Sequence, residues 1–446
     1  LIGGASLLKL QAKLHRTLRS EIERNIKERG YSISKTAELS GMNPGNLSGI
    51  LNGNPPRAIT IRQLDALAKV FGYEQGWLYE LYPEECISEG KVSRPRLIPY
   101  LVRCAEIGRQ DCIEIVVSHL LENPKNLVIL YSVAEQLFES GKKREALPFY
   151  EVIIDNEKDS YSDQFVISHY RVFRIKLGEN LEKNWQAAVS FAPYCQRLPE
   201  DYQLDALYQL TRVFYSIRKW DHLGEFADKL QELATTVYCE QLRQKKKEKR
   251  VPLLRIEHPL VSYYGKGHLL KGVALARKER YEEAIKCVEK YIDLSWFEIL
   301  DDLGKQEVEK FRYWGEGNIY GLNLLMGKIE ILEEYVEFLT RHPKEILPGL
   351  LGIVEAANKH DFNVDWVLNS FSENIKQFEE NRTVVNMSQQ NYFRNQLAIY
   401  LFRRGKLTEG INETIRCLDL SEKTKEYMNF KKCAEYLLES IDKKTE

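Results

Sequence analysis

Three times along the chain a small residue is followed twelve positions later by another: Ala134 and Ala146, Gly272 and Ala284, Ala398 and Gly410. Gly141 and Gly405 lie inside the first and third intervals, and Tyr150 and Tyr291 follow the first two. The flanking residues keep the helical period, as in Leu127, Leu130, Val133, Ala134, Leu137 and Phe138, which repeat at intervals of three and four. Where two antiparallel helices cross closely, only Gly, Ala or Ser lets the backbones approach. Larger residues then fill the space between neighbouring pairs. From about Leu97 onward the chain is therefore expected to be all-α, a stack of helical hairpins with few strand-like alternations.

The pattern resembles the tetratricopeptide repeat, a helix–turn–helix unit of about 34 residues. Weaker copies lie around Gln164–Ala192, Asp205–Ala234, Glu307–Thr340 and Pro348–Glu373. The repeats would cover roughly residues 97–420, within a domain of 97–446, with the helix Glu422–Ile441 as a cap. The resemblance implies a right-handed superhelix whose concave face offers a long groove for extended ligands.

Residues 1–82 read differently. Ser34 is expected to cap a short helix that turns Ala37 and Leu39 inward, with Gly41 as the left-handed turn residue after it. Asn43 can cap a second helix with Pro44 at its first position. Leu47, Ile50 and Leu51 form its buried stripe, and Gly53 ends it. A further helix, Thr60–Phe71, buries Leu64, Leu67, Ala68 and Phe71 and closes at Gly72; a first helix spans about Leu18–Arg29. Residues 83–96, with two Pro, one Gly and mixed charges, are expected to be a linker.

This layout, in Ala37, Gly41, Leu47, Ile50, Gly53 and the Leu-rich helix after them, resembles the lambda-repressor-like (XRE/Cro) helix-turn-helix over about residues 16–82. The recognition helix would be Asn43–Leu51. Its outward slots hold Pro44, Gly45 and Gly49, which carry no hydrogen-bonding side chain, so Asn43, Asn46 and Ser48 are the base-reading candidates. Direct readout is expected to be thin, with specificity drawn from DNA shape, or tight DNA binding to have been lost. Arg19, Arg57, Thr60 and Arg62 are expected phosphate contacts.

Charge agrees with that placement. The formal net charge is −1, yet residues 1–72 hold 11 Lys and Arg against 5 Asp and Glu, and the remainder 53 against 60. A small basic front on an acidic body suits a polyanion at the front alone. The eight cysteines have no CxxC spacing, which reads as reduced thiols in a cytoplasmic protein. No apolar run approaches the roughly 18 residues of a membrane helix. In Leu1–Leu10 the basic residues follow the apolar stretch, the reverse of a signal peptide.

Catalytic signatures are missing: there is no HExxH, GxSxG or GxxxxGK[ST]. His258 and His268 are not at metal-ligand spacing. The acidic stretch Asp155–Asp163 lacks the sixth-position Gly and the closing Glu of a calcium loop. The basic run Arg243–Arg250 reads as a solvated helix extension. No enzyme activity, cofactor or metal is implied.

A helix-turn-helix joined to tetratricopeptide-like repeats resembles the RRNPP group of peptide-pheromone receptors and the phage arbitrium receptors. That resemblance implies a homodimeric regulator of double-stranded DNA controlled by a short signalling peptide in the groove. Repeat geometry places the side chains three before and one after each small reference residue on the concave face. The candidates are Tyr131 and Glu135, Tyr208 and Arg212, Leu269 and Val273, Asn395 and Ile399, with Asn318 in addition. Asn satisfies a peptide amide in both directions and Arg holds a carboxylate bidentately. A protein-binding scaffold of the Rap type and a ligand-independent phage-type repressor are the alternatives.

Overall fold

The computed structural model describes residues 16–88, 91–247, 256–378, 384–425 and 427–445, and Leu1–Leu10 fall outside them. Apart from one two-stranded hairpin, these residues form helices joined by turns. The chain divides into two units, residues 1–175 and 176–446. Among the described residues no helix is long and apolar enough to cross a membrane.

In the first unit, Thr17 caps α1 (Leu18–Glu28) through a box with Ser20. Helix α2 (Ile33–Ser40) is capped by Ser32, whose hydroxyl accepts from the Lys35 amide; Ser34 lies inside the first turn. Only the Thr36–Ala37 side of this short helix is covered, so Leu39, two residues further round, is 47% exposed instead of turned inward. Gly41 takes φ 67°, the left-handed turn that a side chain would strain. Asn43 then caps α3 (Pro44–Asn52), and Thr60 caps α4 (Ile61–Val70).

Residues 83–96 are a folded joint and not a loose tether. They hold a short helix, α5 (Pro83–Cys86), the hairpin β1 (Ile87–Ser88) with β2 (Lys91–Val92), and the start of α6 (Arg94–Glu106). Three fully buried tyrosines sew the joint. The Tyr82 and Tyr100 rings stack at 5.0 Å, the Tyr100 hydroxyl donates to the Tyr79 carbonyl at 2.7 Å, and the Tyr82 hydroxyl donates to the Ile59 carbonyl at 3.0 Å. The core therefore runs unbroken from α1 into α6 and on through α7 (Gln110–Leu121), α8 (Leu127–Glu139) and α9 (Lys143–Asn156). Ala134 and Ala146, on facing helices, are fully buried. Helix α10 (Asp163–Lys176) follows.

The second unit runs through α11 (Leu181–Phe191), α12 (Glu200–Ser216), α13 (Trp220–Lys246), α14 (Leu260–Ala276), α15 (Tyr281–Glu289), α16 (Asp302–Leu325), α17 (Leu332–Arg341) and α18 (Ile346–His360). After α19 (Asp365–Ser370) and α20 (Ser372–Gln377) come α21 (Val384–Arg403), α22 (Leu407–Thr424) and the last helix, α23 (Met428–Thr445). The expected cap Glu422–Ile441 thus straddles two helices, because Lys425 turns left-handed at φ 57° and breaks the chain there.

The twelve-residue spacing does what it is expected to do. A Cβ on Gly272 of α14 would stand 3.4 Å from the Ala284 carbonyl of α15, and one on Gly410 would enter the Phe402 ring across α21 and α22. Helices α12, α14, α16, α18 and α21 line the inside, each packed on the next, and α21 also packs on α12. Ser388 donates to the Ser216 carbonyl at 2.9 Å and Gln389 to the Tyr215 hydroxyl at 2.9 Å across that seam. The inner face of this unit is therefore a closed ring, not the long open groove expected.

Gly265 of α14 is a ring contact of the same kind, since a Cβ there would lie 2.6 Å from Phe311 Cε2 of α16. Gly265→Ala is expected to cost about 1–3 kcal/mol through overpacking, outweighing the ~1 kcal/mol that Ala gains in a helix. Gly352→Ala in α18, with nothing within 4 Å of its Cβ, is expected to raise Tm instead. Paired thermal melts check both.

Burial pushes the His268 imidazole, edge-on to Tyr264 in α14, down to about 4. The folded chain then binds fewer protons than the unfolded one. Stability is full above the unfolded pKa near 6.5 and is lost as pH falls toward 4. His268→Gln is expected to flatten the decline of Tm across that window.

Candidate nucleic-acid interface and ligand pocket

Helix α3 buries Leu47, Ile50 and Leu51, so at 3.6 residues per turn its opposite face carries Gly45, Ser48, Gly49 and Asn52. Asn52 is exposed on that face; extending the outward slots by one turn from Gly45, Ser48 and Gly49 would have found it. Asn43 and Pro44 are exposed at the start of the helix, but Asn43 Oδ1 accepts from the amides of Gly45 at 2.8 Å and Asn46 at 3.3 Å. Capping thus takes the acceptor that a bidentate adenine contact would use. Asn46 and Ser48 are half-buried.

Two of the expected phosphate contacts are structural. Arg19 donates to both carboxylate oxygens of Glu85, at 2.5 and 3.0 Å, and to the carbonyls of Ile50 at 2.9 Å and Arg57 at 3.1 Å. Its donors are consumed in holding α1, the end of α3, the following loop and the joint together. The Thr60 hydroxyl exchanges hydrogen bonds with Gln63 in the capping box of α4. Arg57 and Arg62 are exposed, with no carboxylate in ion-pair range among the described residues.

The expected groove residues separate into two groups. Tyr208, Arg212, Leu269, Val273 and Asn318 come together around a cavity of about 470 Å³ inside the ring of the second unit. Tyr215, Lys266, Leu270, Trp314, Lys344, Glu345, Pro348 and Gln389 complete it. Tyr215, Lys266 and Trp314 follow from the helical period of the residues already picked; Gln389 does not, because nothing local announces that α21 closes on α12. Lys266 lies over the Tyr208 ring at 4.3 Å, and the Arg212 guanidinium donates to Gln209 at 3.3 Å and lies 6.0 Å from the same ring. Asn318 donates to the buried Tyr291 hydroxyl at 2.8 Å, which leaves its amide oxygen for other partners. Trp314 donates to Glu345 at 2.8 Å, yet burial pushes the Glu345 carboxyl above its ordinary value. Three cations, Arg212, Lys266 and Lys344, and one carboxyl, Glu345, thus line the cavity.

Next to the cavity, beyond the shared Tyr215 and Gln389, Arg277 pairs with Glu355 at 2.6 Å, Tyr392 donates to the same carboxylate at 2.8 Å, and Arg218 lies 3.9 Å from the Tyr392 ring centroid.

The other groove candidates are structural. Asn395 is fully buried and donates to the Asn429 carbonyl at 2.7 Å and to Cys433 Sγ at 3.2 Å; Ile399 is buried as well. In the first unit Glu135 is bound bidentately by Arg171 at 2.9 Å and accepts from Tyr150 at 2.5 Å, while Tyr131 packs half-buried on the core. The three-before, one-after rule fails for these because packing between neighbouring helices claims the side chains.

The acidic stretch at Asp155–Asp163 turns its carboxylates on its own backbone: Glu157 accepts from Asp159 N and Asp159 from Tyr161 N. Helix α13 carries the basic run as far as Lys246, and residues 248–250 fall outside the described ones.

Residues 22–78 match the helix-turn-helix family model. No curated protein matches the chain. Among solved structures, a circular tandem repeat protein with novel repeat topology and enhanced subunit contact surfaces is similar over 95% of this chain and 87% of its own, at 12% identity and a TM-score of 0.14. At that score the likeness has no bearing on the fold. The family match and the geometry of α2 and α3 support a DNA-binding regulator.

Arg19→Met is expected to lower unfolding free energy by about 3 kcal/mol, because it strands the buried Glu85 carboxylate. The salt slope of DNA binding should not change, since no phosphate contact is lost. Urea titration reads the first and a salt series the second.

Proposed function

We propose that the chain is a transcriptional regulator that binds double-stranded DNA through its helix-turn-helix as a homodimer and is controlled by a short peptide held in the ring of the second unit. The observation that carries the peptide half is the cavity itself. Side chains from all five inner helices and the turn before α18 converge on it, with apolar Leu269, Leu270, Val273 and Pro348 beside polar Asn318 and Gln389. Its volume lies in the usual range for ligand sites, about 300–1,000 Å³. Asn318 and Gln389 suit a peptide backbone, and the excess of cations suits a carboxylate, either a free C-terminus or an acidic side chain.

Control requires only that the peptide bind two arrangements of the chain unequally; DNA and peptide then alter each other's affinity by the same factor. Dimerisation would convert any such change into a change of half-site spacing. A ligand-independent repressor is the competing reading, favoured by the hydrogen-bonded seam that closes the ring without help.

A synthetic pentapeptide library, with free and amidated C-termini, screened by thermal shift separates the two. Free-carboxylate or acidic members are expected to raise Tm, and Arg212→Gln to weaken them at least tenfold. At 100 times Kd a binder stabilises by about 2.7 kcal/mol, so a library that leaves Tm unmoved at millimolar concentration sinks the peptide reading.

A further inference from the structure

The recognition helix faces outward with almost nothing to read a base. Gly45 and Gly49, one turn apart, form a bare strip on its solvent side, flanked by Ser48 and Asn52. Bare backbone carries no sequence information in a major groove. Yet the strip is not empty. The Arg57 side chain, coming from the loop between α3 and α4, lies against its Gly49 end, where a Cβ would meet Arg57 Cδ at 3.0 Å and Nε at 3.3 Å; a Cβ on Gly45 would meet only Asn43 Oδ1.

The backbone that delivers this side chain is tied at both ends. The Arg57 amide donates to the Gly49 carbonyl at 2.9 Å, and the Arg57 carbonyl accepts from Arg19 at 3.1 Å. Arg19 is itself clamped by Glu85. The loop root is therefore pre-set against the helix, while the guanidinium is exposed and bound by no carboxylate among the described residues.

We propose that Arg57 is the base-reading side chain of the head, laid against Gly49 so that its guanidinium stands where a side chain from that position of the helix would otherwise stand, and that the base it reads is guanine. Arginine presents two parallel donors that match guanine O6 and N7, the commonest specific contact in the major groove. Gly49 is then part of the reader, since a Cβ there presses on Arg57 Cδ and Nε and a longer side chain would occupy the place of the arginine. This inference rests on the DNA-binding reading and adds to it a residue, a base and a reason for Gly49.

The test is selection from a random-sequence duplex pool with the full chain, in wild type, Arg57→Gln, Arg57→Lys and Gly49→Ala. Wild type is expected to enrich a motif with one guanine per half-site, preferred roughly 10- to 100-fold over other bases. Arg57→Gln and Arg57→Lys should lose that preference and Gly49→Ala, whose methyl presses on Arg57, should reduce it, each keeping the rest of the motif. Gly49→Ala keeps the charge and favours the helix, and Arg57→Lys keeps the charge without the paired donors, so neither acts by unfolding or by simple charge loss. An unchanged motif with uniformly weaker binding in Arg57→Gln would mean a phosphate anchor and overturn the proposal. So would an unchanged motif in Arg57→Lys. If wild type enriches no motif, the DNA-binding reading falls and this inference with it.

Discussion

Close crossing of paired helices is the constraint on which the molecule rests. Gly272 sits so close to α15 that a Cβ would already touch Cys287 and the Ala284 carbonyl, and at Gly410 the Phe402 ring fills the place of a side chain. Interiors of proteins are packed like crystals, so such contacts fix both the distance and the angle of a pair. Repeated around the second unit, they bring five inner helices round until the last meets the first. The cavity lies in the middle of that ring, lined by large side chains such as Tyr208, Tyr215 and Trp314 as well as by Leu269 and Val273.

The local elements were legible in the residues. The cap at Asn43, the left-handed Gly41, the buried stripe Leu47–Ile50–Leu51 and the small-residue crossings all follow from nearest-neighbour chemistry. The helices between residues 18 and 70 lie within a residue or two of where they are expected, with Ser32 capping α2 in place of Ser34. The last helix is the exception, since the expected Glu422–Ile441 spans the end of α22 and most of α23. The misreadings share a cause. Leu39, Glu135, Asn395 and Arg19 each depend on what a distant segment places beside them, and one sequence does not reveal that. Asn395 has the right chemistry for a peptide and the right phase on α21, but α23 covers it.

The pocket shows the same limit from the other side. Five of the expected groove residues do meet, because helical period alone puts them on the inner face. The closure of the ring is invisible locally. It brings Gln389 of α21 to the cavity beside Tyr215 of α12 and replaces the expected open groove with a site bounded on every side by inner helices.

The tyrosine-sewn joint bears on how such heads can be exchanged. Tyr79 and Tyr82 belong to the same core as Tyr100 and Leu101. A cut after residue 82 would strip one side of that core and leave broad aromatic surface in water, where such patches promote association. Any transplant of this DNA-binding front onto another protein must therefore carry α6 along with it, and lengthening residues 83–96 would open a seam where a flexible spacer was intended.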